Sequence, residues 1–240
     1  MNAATSTNPD AASARLGGWQ PFSACDWPGR LCAVVFLAGC PWRCGYCHNP
    51  HLLTRQAGSA DWPRFLAWLS QRRGLLDGVV FSGGEPLQEP ALPQLLAAVR
   101  SMGFATGLHT GGSHPPRLAA VLPLLDWVGL DIKTLPPHYA ALTGVAGSGQ
   151  RVQHSLSLLQ ASGVAFECRS SIHPQWHTPR TLQRMAAWLA GRGVRHYHWQ
   201  LLRPPPEATA HWQPAPPGWP GAALLADTAA RFDNFSLRGG

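Results

Sequence analysis

The chain has 240 residues, 45% of them hydrophobic and 13% charged, and a formal net charge of +7. That length suits one α/β-sized unit with a substantial core. No apolar run is long enough to span a membrane, and the opening MNAATSTNPDAASARLGG lacks the apolar stretch of a secretory signal. The positive charge is dispersed, with no basic run, so nucleic acid is not an expected partner.

Residues 1–18 are small and polar and read as a flexible N-terminal tail. A continuous apolar run over 31–38 predicts a buried strand, and a cysteine-rich loop follows its end. Helical spacing over 62–71 precedes a short apolar strand at 78–81, which runs into Ser82-Gly83-Gly84-Glu85-Pro86. A helix over 91–102, closed by Gly103, leads to a strand at 104–108 and then His109-Thr110-Gly111-Gly112. A helix over 117–125, a strand at 127–130, a helix over 151–162 and a strand at 164–168 follow. A helix over 181–191 and a final strand at 195–201 close the pattern. Residues 205–240 form a Pro/Trp-rich extension, in which a helix over 222–232 is the regular element expected.

Strand and helix alternate about six times, which implies parallel strands joined by right-handed crossovers. The expected fold is α/β, an open six-unit partial barrel over residues 19–204, with a doubly wound open sheet as the alternative. In either fold, functional residues gather at the carboxyl ends of the strands. The motifs singled out below all lie at such ends.

Cys40, Cys44 and Cys47 offer three thiolates from one short loop, GCPWRCGYCHNPH. Thiolates are soft ligands suited to zinc or iron–sulfur centres. A closed zinc site takes four ligands, and the second cysteine pair is missing, although His48 or His51 is nearby. A four-iron cluster held by three cysteines leaves one iron open to bind and activate a molecule. Both readings stand on spacing alone. Pro41 and Gly45 let the backbone wrap a bulky inorganic core, and Tyr46 puts an aromatic ring beside the third cysteine. Cys25, Cys32 and Cys168 are isolated and read as small hydrophobes. Six cysteines without disulfide spacing fit a reducing, cytoplasmic setting.

Gly83 and Gly84 allow close backbone approach at a strand end, and Glu85 adds a carboxylate beside them. Asp131 and Lys133 alternate on their strand and share a face. Lys133 is the only lysine among nineteen basic side chains, and a compact ammonium is not equivalent to a guanidinium.

The C-x3-C-x2-C spacing, with Tyr46 before the last cysteine, resembles the radical S-adenosylmethionine (radical SAM) signature. His48-Asn49-Pro50 narrows the resemblance to activating enzymes of glycyl-radical proteins, above all those of anaerobic ribonucleoside-triphosphate reductase. It covers about residues 18–204. The resemblance implies a 4Fe-4S cluster on Cys40, Cys44 and Cys47 and S-adenosyl-L-methionine bound beside it. Tyr46, Cys47, His48, Gly83, Gly84, Glu85, Thr110, Asp131, Lys133 and Arg169 are then cofactor-binding. Gly83, Gly84 and Glu85 receive the cofactor's amino group, and Lys133 can hold its carboxylate. The implied reaction is reductive cleavage of S-adenosylmethionine to a 5′-deoxyadenosyl radical, which makes a glycyl radical on a partner enzyme. No protein acid or base is needed for that cleavage. A low-potential electron donor such as flavodoxin or ferredoxin, and an anaerobic setting, follow from it. Where the relatives read Asp-Thr-Asn-Gly, this chain has His109-Thr110-Gly111-Gly112, which removes an aspartate associated with a monovalent cation. Two other readings share parts of the pattern: a radical SAM enzyme acting on a small molecule or peptide, and a zinc-bound interaction module.

Overall fold

The computed structural model describes residues 11–55, 61–204 and 212–239. Eight strands form one sheet in chain order: β1 (Leu16–Ser23), β2 (Cys32–Leu37), β3 (Gly78–Gly83), β4 (Ala105–Thr110), β5 (Trp127–Asp131), β6 (Ala165–Ile172), β7 (His196–Leu201) and β8 (Asn234–Arg238). β1 pairs antiparallel with β2, and each later neighbour pairs parallel. The crossovers carry α1 (Trp62–Ser70), α2 (Leu92–Ser101), α3 (Pro115–Val121), α4 (Tyr139–Thr143), α5 (Ser148–Ser162), α6 (Pro179–Ala190) and α7 (Ala222–Ala229). Strands β2 to β7, each followed by helix, make the six units of a partial (β/α)6 barrel.

The helices form where apolar residues recur on one face. In α2, Leu92, Leu95, Leu96 and Val99 are all buried, and in α6 so are Leu182, Met185, Ala186 and Leu189. The Thr178 side chain accepts the Thr181 N–H at the start of α6. The helix expected over 117–125 is shorter: α3 stops at Val121, and Leu122–Leu124 tightens into a 3-10 turn around Pro123, which has no N–H to continue the ladder.

Both ends of the chain differ from the sequence reading. Strand begins at Leu16, which is buried, so the expected tail over 1–18 ends earlier than its composition implied. The strand at 195–201 is not the last, because β8 adds to it in parallel and joins part of the 205–240 extension to the sheet. Residues 1–10 of the tail and 205–211 of the extension lie outside the described residues.

The core divides in two. The larger cluster lies between the sheet and its helices, with Val35, Phe81, Leu108, Leu130 and Trp199 among its strand residues. A smaller cluster fills the other, concave face: Trp27, Cys32, Val34, Val80 and Trp127. Trp27, from the β1–β2 connection, stacks on Trp127 at 5.6 Å between ring centroids. Gly107 packs closely there, since a Cβ on it would lie 3.0 Å from the Trp27 ring. The barrel lumen is thus plugged at one end, and the polar strand ends lie at the other.

Candidate active site

Every site residue singled out in the sequence lines one cavity of about 190 Å³ at the carboxyl ends of the strands. The β2–α1 loop supplies Cys40, Cys44, Tyr46, Cys47 and His48. The end of β3 supplies Gly83, Gly84 and Glu85, and the end of β4 supplies Thr110. Asp131 ends β5, Lys133 follows it, and Arg169 comes from β6.

At both glycines another stretch of the chain itself comes close. A Cβ on Gly83 would lie 2.3 Å from the Leu37 carbonyl oxygen, and one on Gly84 would lie 2.6 Å from that of Gly39. What approaches these positions is the root of the cysteine loop. The Glu85 N–H donates to the Gly39 carbonyl at 2.8 Å, so the loop and the Gly-Gly-Glu turn are built as one piece.

Glu85 is buried, with three bonds to its carboxylate. Oε1 accepts from the Leu87 N–H at 3.1 Å and the Thr110 hydroxyl at 2.6 Å, and Oε2 accepts from the Gly111 N–H at 3.0 Å. A carboxylate has about four acceptor positions, so one remains on Oε2. Burial pushes the Glu85 carboxyl up, against those hydrogen bonds and the charge of Lys133.

On the facing wall, the Arg169 guanidinium donates to Asp131 Oδ1 through Nη2 at 2.8 Å and Nε at 3.2 Å. Burial raises the Asp131 carboxyl, but Arg169, Lys133 and His109 together outweigh it and hold it below the usual range. Lys133 Nζ is 3.9 Å from Asp131 Oδ2 and stands 5.8 and 5.9 Å from the ring centroids of Trp42 and Tyr46. Burial works against its charge, yet Tyr46, Cys44 and Asp131 around it keep Lys133 an ammonium.

His109 stands between this wall and the plug. Burial, and then the charge of Arg169, lowers its pKa to about 4, so the ring is neutral at neutral pH. Its Nε2 is 2.9 Å from Arg169 Nη1 and 2.7 Å from the Asp26 carbonyl oxygen. A guanidinium only donates and a carbonyl only accepts, so one ring nitrogen cannot serve both at once: Nε2 either donates to the Asp26 carbonyl or accepts from Arg169, according to the tautomer. Where the resembling motif has an aspartate, the chain therefore has a neutral ring between a guanidinium and a backbone carbonyl.

The donor set fits a body larger than one ion. Among the described residues, no three His, Cys, Asp or Glu side chains converge to hold a single metal ion. Three thiols nevertheless share one wall, and the corners of a four-iron cube spread thiolates wider than a tetrahedral ion does. Burial pushes the Cys40 thiol up to about 12 and raises Cys44 too, so binding a metal centre here must release protons. The buried Tyr46 hydroxyl has no hydrogen-bond partner among the described residues, and the Tyr46 ring packs edge-on against Trp176 at 5.2 Å.

Sequence reasoning missed several neighbours. Trp42 has a signal, since it lies within the cysteine loop. Ser171 follows Arg169 by two and shares its face. Tyr139 and His177, which touch Lys133 from separate segments, carry no signal of their own.

A partial parallel barrel whose mouth carries a three-cysteine loop beside a charged, ligand-sized cavity is the architecture of the radical SAM enzymes. The chain matches the radical SAM superfamily over residues 34–189 and belongs to it. Over 172 residues it is 28% identical to a Methanocaldococcus jannaschii protein named as a glycyl-radical enzyme activating enzyme, covering 68% of this chain and 70% of that one. It is 32% identical over 170 residues to the pyruvate formate-lyase-activating enzyme of Clostridium pasteurianum, covering 67% and 69%. In fold it is similar to QueE from Escherichia coli, with a TM-score of 0.54 at 18% identity over 95% of this chain and 94% of that one. The chain spans only 47% to 62% of several other solved structures that it matches. Membership implies a 4Fe-4S cluster and S-adenosylmethionine as cofactors and sets the zinc-module reading aside. Among the described residues, no helix is long and apolar enough to cross a membrane.

Proposed function

We propose that the protein activates a partner enzyme by generating a glycyl radical on it, the partner being an anaerobic ribonucleoside-triphosphate reductase. The observation that carries the cofactor assignment is a single cavity with three thiols on one wall and Glu85, Asp131, Lys133 and Arg169 on the others. Cys40, Cys44 and Cys47 hold the cluster. Lys133 takes the carboxylate of S-adenosylmethionine, and the free acceptor position on Glu85, beside the backbone of Gly83 and Gly84, takes its amino group. Thr110 acts through Glu85, whose Oε1 it fixes. Arg169 holds Asp131, and the Tyr46 ring of the cysteine loop packs against Trp176. His48, held neutral by burial and by Arg203, lines the mouth. When bound, these cofactors supply a one-electron opening of the sulfonium carbon–sulfur bond and a carbon radical that abstracts hydrogen. Each cleavage of the carbon–sulfur bond needs one electron from outside, for which a low-potential flavodoxin or ferredoxin is suited, and the hydrogen abstraction needs none.

Charge favours a polypeptide over an anionic metabolite as substrate. The charged residues lining the cavity are two carboxylates, Glu85 and Asp131, and two cations, Lys133 and Arg169, with His109 neutral. Beyond Arg169, the concave face of β6 to β8 presents Ser171, Gln200 and Arg238 in one row. Arg238 is already neutralised by two bonds to Glu167, at 2.9 and 3.2 Å. These groups suit peptide amides, and each cation in this set already has a protein carboxylate. The two relatives named as activating enzymes support the same reading.

The test is anaerobic reconstitution with iron and sulfide, reduction with dithionite, and assay of 5′-deoxyadenosine. An anaerobic ribonucleotide reductase is then added, and its radical is read by electron paramagnetic resonance. A glycyl doublet that depends on this protein is the expected result. Cleavage of S-adenosylmethionine without any such doublet would move the assignment to a small-molecule or peptide substrate.

A further inference from the structure

Lys133 is the one lysine of the chain, and its main chain lies outside the sheet. β5 ends at Asp131, and the last bond to its neighbour is the Ile132 N–H donating to the Arg169 carbonyl at 2.7 Å, so the Lys133 main-chain groups find their partners elsewhere. The Lys133 N–H donates to the Tyr139 hydroxyl at 2.8 Å, and the Lys133 carbonyl accepts from His177 Nε2 at 2.8 Å. The preceding carbonyl, that of Ile132, accepts from the Ser170 hydroxyl. Both main-chain groups of Lys133 are therefore held by side chains, one from the start of α4 six residues on and one from the β6–α6 turn 44 residues on.

Neither holder is incidental packing. Tyr139 is fully buried at the start of α4 and meets Trp42 edge-on at 6.0 Å. The same helix accepts the Arg43 N–H at the Thr143 carbonyl, 2.8 Å away, so α4 touches the cysteine loop and the lysine together. His177 is buried in the β6–α6 turn. Its Nδ1 faces the His173 N–H at 3.4 Å, which leaves the proton on Nε2 and directs it at Lys133.

We propose that Tyr139 and His177 are positioning residues for cofactor binding. They clamp the Lys133 main chain, so that the ammonium stands between Asp131 and the rings of Trp42 and Tyr46, where the carboxylate of S-adenosylmethionine is received. This rests on the cofactor assignment above. An unclamped main chain at Lys133 lets the root of the side chain shift, so the ammonium starts from more positions, and binding then costs the entropy of fixing that segment.

The test measures S-adenosylmethionine affinity by calorimetry on the anaerobically reconstituted protein, with iron content measured alongside. Tyr139→Phe keeps the ring and removes the acceptor. It raises the dissociation constant about tenfold, the scale of one buried hydrogen bond, while iron content holds. His177→Ala does the same, and His177→Gln, whose amide donates near the place of Nε2, restores affinity. In a Lys133→Met background, Tyr139→Phe adds no further loss, which a general structural role would not predict. Equal affinity in Tyr139→Phe and wild type, or the same added loss in the Lys133→Met background, would overturn the clamp alone. Wild-type protein that binds iron but not S-adenosylmethionine would overturn the cofactor assignment with it.

Discussion

The two ends of the barrel lumen are built on opposite principles. At the closed end, Trp27, Trp127, Val34 and Val80 make a dry plug whose contacts are apolar and aromatic. At the open end, buried charges stand within a few ångströms of one another and are held by hydrogen bonds from every side. His109 joins the two, with its ring edge-on to Trp127 at 5.5 Å and its Nε2 2.9 Å from Arg169 Nη1. The contrast separates jobs: stability comes from the end that does no chemistry, which lets the other end keep groups that are costly to bury.

That division can be broken from the chemical end first. Cys44→Ala removes one of three cluster ligands. It abolishes iron–sulfur loading and all 5′-deoxyadenosine formation, while circular dichroism of the iron-free protein is unchanged. Retained iron and turnover would contradict the assignment. From the closed end, Trp127→Ala opens a cavity in the plug and destabilises the iron-free protein by about 3–5 kcal/mol, measured by urea denaturation. A loss below about 1 kcal/mol would mean that the plug is not a stabilising element.

The pH dependence sharpens the role of His109. Burial lowers both His109 and His198 to about 4, so the unfolded chain binds more protons between there and about 6.5. Their contribution is fully present above about pH 6.5 and is lost as pH falls toward 4. The urea midpoint of the iron-free protein should fall over that window, and His198→Gln should flatten the fall. Lys133→Arg comes next in size. The guanidinium keeps the charge but not the compact point geometry, so S-adenosylmethionine affinity falls about tenfold, with the urea midpoint unchanged. The smallest effect is expected at the exposed Arg195–Asp233 pair, where Arg195→Ala changes stability by less than about 0.5 kcal/mol.

The parallel strands were legible because each is a short apolar run ended by glycine or a polar residue, and the helices because their apolar faces repeat. The edges were not. β1 reads LGGWQPFS, with two glycines and a proline and an irregular register against β2, and β8 is one exposed and four half-exposed residues beyond a Pro-rich stretch. Their strand character comes from the neighbours they pair with. At the site, the first contacts announced themselves through cysteine spacing and strand-end motifs. Their supports did not, since a tyrosine in a short helix and a histidine in a turn acquire a role only when the fold brings them to Lys133. Gly83 and Gly84 show a subtler case: the conformational demand was visible, but the backbone that causes it belongs to the cysteine loop.

The solitary lysine also makes the pocket its own reporter. Lys133 retains 18% side-chain exposure, enough for a small reagent to reach. Apart from the α-amino group, no other primary amine exists in the chain, so an amine-reactive label, applied at alkaline pH because the Lys133 ammonium must first lose its proton, marks one interior position. Mass spectrometry of the labelled peptide would then count filled and empty pockets directly, with no need for catalytic turnover.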